Sequence, residues 1–263
     1  MEIINFHAHV YPQKIAAKAV ENLHEKYQLT IEHDGTAECL FKECAACGIS
    51  RVVLLPVATS PAQVSHINDF VLNLSVENNG KSIPFMSLHP HMDLQEAEKE
   101  INRCMALGAK GIKLHPDMQG FKADDPRVFE LYEIIQGRLP LLIHCGDFRI
   151  DYSHPRRIAH IIDSFPKLDI IAAHFGGWTL WDYAKEYLLS RKCMLDTSSS
   201  LEWLGPQRSK ELIREYGAER FLFGTDYPLS TAAKELEFIK NLNLTDREYE
   251  LIYAENAVRC LNL

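Results

Sequence analysis

Long apolar runs are missing from this chain of 263 residues. No uninterrupted hydrophobic stretch reaches the roughly 18 residues that a membrane-spanning helix requires, and the opening MEIINFHAHV has no basic region leading into an apolar one. The expectation is a cytoplasmic protein with no membrane partner. Positive charge is scarce as well: 28 Lys and Arg stand against 36 Asp and Glu, a net charge of −8. Because nucleic-acid binding draws most of its affinity from clustered cations, a small molecule is the expected partner and nucleic acid is not. The seven cysteines, an odd number scattered from Cys39 to Cys260, do not make a disulfide framework. Cys44 and Cys47 form a C-x-x-C, but no second pair or nearby His completes a zinc knuckle, so both are read as small buried or half-buried thiols. Repeats, low-complexity tracts and Gly/Ser linkers are absent too, which points to one domain over residues 1–263.

What is present is a globular composition, 46% hydrophobic and 24% charged, arranged in alternating segments. Short β-rich runs fall at residues 2–7, 51–56, 83–88, 110–115, 139–144, 168–174, 192–197 and 219–226, and each is followed by a segment of helical period. Eight such units are the number that closes a single α/β barrel, a (β/α)8 TIM-type fold, rather than an open doubly wound sheet. Ser60 with Pro61 signals one helix start; Asp93 with Glu96 signals another, which Gly108 ends. Residues 12–35 add a helix and loop after the first strand. Since loops at the C-terminal ends of barrel strands build the active site, this insertion is a candidate lid or substrate wall.

His7 and His9 lie two apart at the end of the first run, and the period of two in a strand points both imidazoles the same way. An H-x-H alone is weak evidence. The other strand ends strengthen it: the fifth run ends in His144, the sixth in His174 and the eighth in Asp226. Titratable residues at these ends converge on one mouth of a barrel, and three imidazoles with a carboxylate suit zinc or another divalent transition metal. Lys113 and His115 share one face of the fourth strand, where Lys113 either lends charge to a substrate or is paired structurally. A second H-x-H, His89 and His91, is split by Pro90 and reads as a loop. His24, His33, His66, His154 and His160 read as surface or helix-packing residues. Arg149 follows His144 on a loop and could clamp a carboxylate bidentately or form a surface salt bridge. Trp178 and Trp181 are expected at the start of the helix after the sixth strand.

The motifs NFHAHVYP, GIKLHP, LIHCGD, AAHFGGW, GTDYP and ENAVRCL, spread from end to end, resemble the amidohydrolase superfamily. The closer likeness is to its amidohydrolase-2 branch, which contains the aminocarboxymuconate semialdehyde decarboxylase-like enzymes. The resemblance implies a distorted (β/α)8 barrel with His7, His9, His144 and Asp226 around one divalent ion, zinc first, manganese or another transition metal otherwise. It also implies that His174 sits beside that ion, acting on a substrate carbonyl or carrying a proton. A fourth-strand lysine is carboxylated in some superfamily members, but the branch uses one metal and an unmodified Lys113 is expected. The expected activity is hydrolysis of an amide, lactone or other ester-like bond in a small, carboxylate-bearing molecule. Asp226 would be the proton acceptor, His174 the oxyanion partner, and Lys113, His115 and Arg149 candidate substrate contacts. Non-oxidative decarboxylation is the alternative. A TatD-type DNase is disfavoured because GIKLHP carries no carboxylate, and a non-catalytic barrel because polar groups at several strand ends are costly to bury without a partner. A homo-oligomer is compatible with the sequence.

Overall fold

The computed structural model describes all of residues 1–263. Its strands are β1 (Ile4–Ala8), β2 (Arg51–Leu54), β3 (Ser82–Pro84), β4 (Met86–Ser87), β5 (Ile112–Leu114), β6 (Leu141–Ile143), β7 (Ile170–Ala172), β8 (Met194–Asp196) and β9 (Phe221–Leu222). Every expected run contains a strand, and the third contains two, β3 and β4, interrupted at Phe85. The strands are short and almost wholly buried, as parallel strands covered on both faces are.

The chain forms two compact units, each drawn from separate stretches of sequence. The first comprises Met1–Leu54, Leu74–Ile83 and Thr197–Leu263. Here β1 lies parallel to β2, with Ile4 opposite Arg51 and Asn5 opposite Val52, and the register slips between Asn5 and Ala8. Such a slip bends a strand and re-aims its side chains, and it falls where His7 sits. Ile4, Phe6, Val52, Leu54, Phe221 and Phe223 belong to the buried core of this unit. The insertion expected at residues 12–35 is realised as α1 (Gln13–Tyr27), closed by a left-handed Gln28, and a loop leading to α2 (Ala37–Ala46). Thr36 caps α2 by accepting the Cys39 N–H. The C-x-x-C sits on the end of this helix with Cys44 buried and Cys47 partly so, which agrees with their reading as small buried or half-buried thiols.

The second unit comprises Leu55–Asn73 and Pro84–Asp196. Strands β4 to β8 run in sequence order, each parallel to the next. The helix Leu94–Ala106 starts under Asp93, whose carboxylate accepts the Gln95 and Glu96 N–H groups. Helices Pro126–Ile135 and Pro155–Ser164 each begin with proline at the first position, where the missing N–H is no loss. Ser60 and Pro61 open a short 3-10 turn that runs into the helix Val64–Glu77. No helix of the chain is long and apolar enough to cross a membrane.

Candidate metal centre

In the first unit β1 is zipped to the segment after β9. Phe6 N–H donates to Phe223 O (2.7 Å), Asp226 N–H to His7 O (2.8 Å) and His9 N–H to Tyr227 O (2.8 Å). Asn5 reinforces the pair through Thr225, donating to its hydroxyl at 2.8 Å and accepting its N–H at 3.1 Å. Asp226 takes a left-handed backbone (φ 62°), a conformation that costs a non-glycine residue energy and persists only where the surroundings fix it.

The outcome is a tight triangle of donors. His7 Nε2 and His9 Nε2 are 3.1 Å apart, and Asp226 Oδ1 lies 3.4 Å from the first and 3.5 Å from the second. Around a tetrahedral ion with bonds of about 2.0–2.1 Å, ligand atoms stand about 3.3–3.4 Å from one another, so the three donors fit a single divalent cation. The atoms on the far side of each group agree with that use. His7 Nδ1 is 3.0 Å from Ser198 Oγ, and Asp226 Oδ2 accepts the Ser199 hydroxyl at 2.6 Å. A metal-binding imidazole characteristically hands its other N–H to such an acceptor. Gly224 makes the approach feasible, since a Cβ there would stand 2.8 Å from His7 Cβ and 3.2 Å from Ser198 Cβ.

The second unit gathers another group. His144, just past β6, stacks on His115 with ring centroids 3.9 Å apart, and its Nε2 lies 2.9 Å from Gly146 O and 3.2 Å from Asp117 Oδ2. Both oxygens accept only, so the proton belongs on Nε2 and the lone pair on Nδ1. That Nδ1 faces His174 Nε2 at 3.0 Å. His174 is itself in a left-handed conformation (φ 61°), held by Asp196, which accepts its N–H at 3.1 Å, and by the Trp181 indole, which donates to its carbonyl at 3.1 Å. Lys113 is fully buried in β5. Arg149 grips Asp147 through two side-chain bonds of 2.9 and 2.8 Å and lies over Trp178 at 5.6 Å. Burial pushes the Asp147 carboxyl up, but the Arg149 bonds outweigh it and leave the group below the usual carboxylate range. His89 and His91 share a turn rather than a strand, as expected. Trp181 opens the helix Trp181–Leu188, whereas Trp178 lies three residues before it, a small departure from the expected helix start.

The structure thus brings His7, His9 and Asp226 together, and His144 with His115, Asp117 and His174. The amidohydrolase family profile matches residues 4–263. The chain belongs to the amidohydrolase family. Solved structures of similar fold include an uncharacterized TIM-barrel protein from Bordetella bronchiseptica, at TM-score 0.80 and 22% identity, covering 100% of this chain and 99% of that one. A dihydroxybenzoic acid decarboxylase from Polaromonas with bound manganese matches at TM-score 0.72 and 16% identity, over 100% and 97% of the two chains. A probable 2-pyrone-4,6-dicarboxylic acid hydrolase from Acinetobacter baumannii matches at 0.70 and 15%, over 100% of both. Comparison with curated proteins finds no match. The fold of this amidohydrolase is the (β/α)8 barrel expected from its eight βα units.

Sequence reasoning missed Asp117, Ser199 and the role of Ser198. Asp117 stands two residues beyond His115 in the short helix Pro116–Gln119, with its carboxylate 1% exposed and accepting the Ser153 hydroxyl at 2.7 Å. The signal was a carboxylate two positions past a strand-end histidine, in LHPD. Ser198 and Ser199 follow the seventh run directly, at a strand end of the kind on which barrel enzymes carry their reactive groups.

Proposed function

We propose that this amidohydrolase is a cytoplasmic, metal-dependent hydrolase of a small carboxylate-bearing molecule, acting on an amide, lactone or other ester-like bond. Its single divalent ion is held by His7, His9, Asp226 and His144, with residues 1–263 working as one domain. The observation that carries the reading is the His7, His9 and Asp226 triangle, with edges of 3.1, 3.4 and 3.5 Å and its outer atoms engaged by Ser198 and Ser199. Two imidazoles and a carboxylate suit zinc first and manganese second. When bound, such an ion polarises a substrate oxygen and lowers the pKa of water to about 7.

The residues do the rest. His144, with its proton fixed on Nε2, offers Nδ1. Asp226 accepts the proton of the attacking water and returns it to the leaving group, while Ser199 keeps its second oxygen oriented. His174 Nε2 donates toward the oxygen on which negative charge develops. Lys113 and His115 provide positive charge and a hydrogen-bond donor for a substrate carboxylate. Because Asp147 already fills the Arg149 fork, Arg149 shapes the wall beside Trp178, and a clamping role requires that pair to open.

Decarboxylation is the second reading, favoured by the likeness to the manganese-bearing dihydroxybenzoic acid decarboxylase. There His174 would deliver a proton to carbon as carbon dioxide leaves. Two measurements test the pair of readings. Elemental analysis should find about one equivalent of zinc or manganese in the wild type and much less in His7→Ala and His144→Ala; equal content in all three removes the site. On a panel of lactones, amides and aromatic acids, acid release without carbon dioxide supports hydrolysis, and carbon dioxide release replaces it with decarboxylation.

A further inference from the structure

A second set of reactive groups lies where the insertion meets α2. Cys39 occupies the first turn of α2, and its Sγ is 3.5 Å from His33 Nδ1. His33 Nε2, on the other edge of the ring, is 3.1 Å from Glu43 Oε2. Glu43 is anchored in turn, because its Oε1 accepts the Ala232 N–H at 2.7 Å. The Tyr227 ring lies along the imidazole with centroids 5.0 Å apart, and its hydroxyl donates to Thr36 O at 2.9 Å, fixing the loop that carries the pair. Thiol, imidazole and carboxylate therefore stand in series, an order in which a nucleophile, a base and an orienting acid work together.

The protonation pattern follows from the partners. Glu43 beside Nε2 keeps the ring proton there, which leaves Nδ1 to accept the thiol proton. The carboxylate raises the His33 pKa, burial opposing it, with Glu32 and Asp34 adding negative charge around the ring. A proton passed from Cys39 is thus welcomed. The thiol is also within reach: Cys39, Cys47 and Cys260 are the partly exposed cysteines, whereas Cys44, Cys104, Cys145 and Cys193 are buried. Burial pushes the Cys44 and Cys104 thiols up to about 12, which keeps them protonated and inert.

We propose that Cys39 is a nucleophilic thiol, activated by His33 and Glu43, that undergoes exchange with small disulfides and so forms a modification site apart from the metal centre. Cys39 gives its proton to His33 Nδ1. The sulfur electron pair attacks one sulfur of the disulfide; the new Sγ–S bond forms as the old S–S bond breaks, and the released thiolate takes the proton back from His33. The disulfide is the only co-reactant, and the products are one mixed disulfide and one thiol. Glu32, Asp34 and Glu43 favour a cationic disulfide over a neutral one.

Cystamine is the probe, with peptide mapping by mass spectrometry over a time course at neutral pH and no activity assay. In the wild-type protein, Cys39 should be modified at least about tenfold faster than Cys47 and Cys260, and faster by cystamine than by the neutral 2-hydroxyethyl disulfide. In His33→Gln and Glu43→Gln the Cys39 rate should fall about tenfold while Cys47 and Cys260 keep theirs. A Cys39 that reacts no faster than the other two in the wild type, or an unchanged rate in a folded His33→Gln, overturns the proposal. The wild-type comparison decides even if a variant fails to fold. The outcome is independent of whether the metal centre binds an ion.

Discussion

Replacing Ser198 with alanine removes one hydroxyl and leaves every proposed ligand in place. In the structure Ser198 Oγ is 3.0 Å from His7 Nδ1, on the edge of the ring opposite the Nε2 that faces His9 and Asp226. With the lone pair needed on Nε2, the proton sits on Nδ1 and Ser198 accepts it. Coordination makes that N–H more positive, so the bond is of the charge-assisted kind, worth about 1.5–3 kcal/mol. At about 1.4 kcal/mol per decade, its loss should weaken ion binding by about 10- to 100-fold. This agrees with the general cost of removing a partner of a ligating histidine. The assay is competition with a chromogenic chelator, titrating zinc and then manganese into apo wild type and Ser198→Ala. Folding is checked by thermal denaturation of both proteins in chelator, where the two should differ little. A dissociation constant within about twofold of the wild type would show that Nδ1 and Ser198 do not orient the ligand, and the chosen tautomer of His7 would be wrong.

Chelation of the wild-type protein should lower its melting temperature. An ion present at about 100 times its dissociation constant adds about 2.7 kcal/mol, which in a domain of this size amounts to about 5–10 °C, and added metal should restore it. A melting curve indifferent to chelator argues against a bound ion. Gly224→Ala should cost about 1–3 kcal/mol and deplete the ion, because the new methyl meets His7 Cβ at 2.8 Å; wild-type metal content and melting would show that the strands yield freely. Burial pushes the Glu235 carboxyl up to about 8, the charge of Asp226 adding to the effect and the Ser230 hydroxyl opposing it. Its folded pKa being above its unfolded value, the folded state holds the extra proton. Stability should therefore fall as pH rises from about 4.5 toward 8, by up to about 1.4 kcal/mol per unit. Glu235→Gln should flatten that slope in thermal melts from pH 5 to 8.5, and equal slopes would refute the assignment.

The strands were legible because each is a short β-rich run, six of the eight closing on a polar residue, and His7, His9 and Asp226 stood out from that pattern together with the H-x-H spacing. The break at Phe85 was not. Pro84 has no N–H to pair, and the Phe85 ring packs where a side chain on Gly111 would be, 2.3 Å from its would-be Cβ. A glycine's missing atoms carry no hydropathy signal. Ser199 was hidden for a related reason: its backbone is left-handed (φ 49°), so strand alternation cannot forecast where its hydroxyl points. His33 looked ordinary because its place between Cys39 and Glu43, which α2 itself brings one turn apart, depends on a loop folding back on that helix, which no residue period encodes. The tautomer of His144 followed only once Gly146 O and Asp117 were seen against Nε2.

The zipper between the first strand and the segment around Asp226 joins partners as much as 220 positions apart. During synthesis, then, His7 and His9 emerge long before Asp226 and wait without their carboxylate until its segment has been made. An ion that needs all three donors would be loaded only after that segment has folded back, and fragments that stop short of Asp226 should bind none however well their early strands collapse.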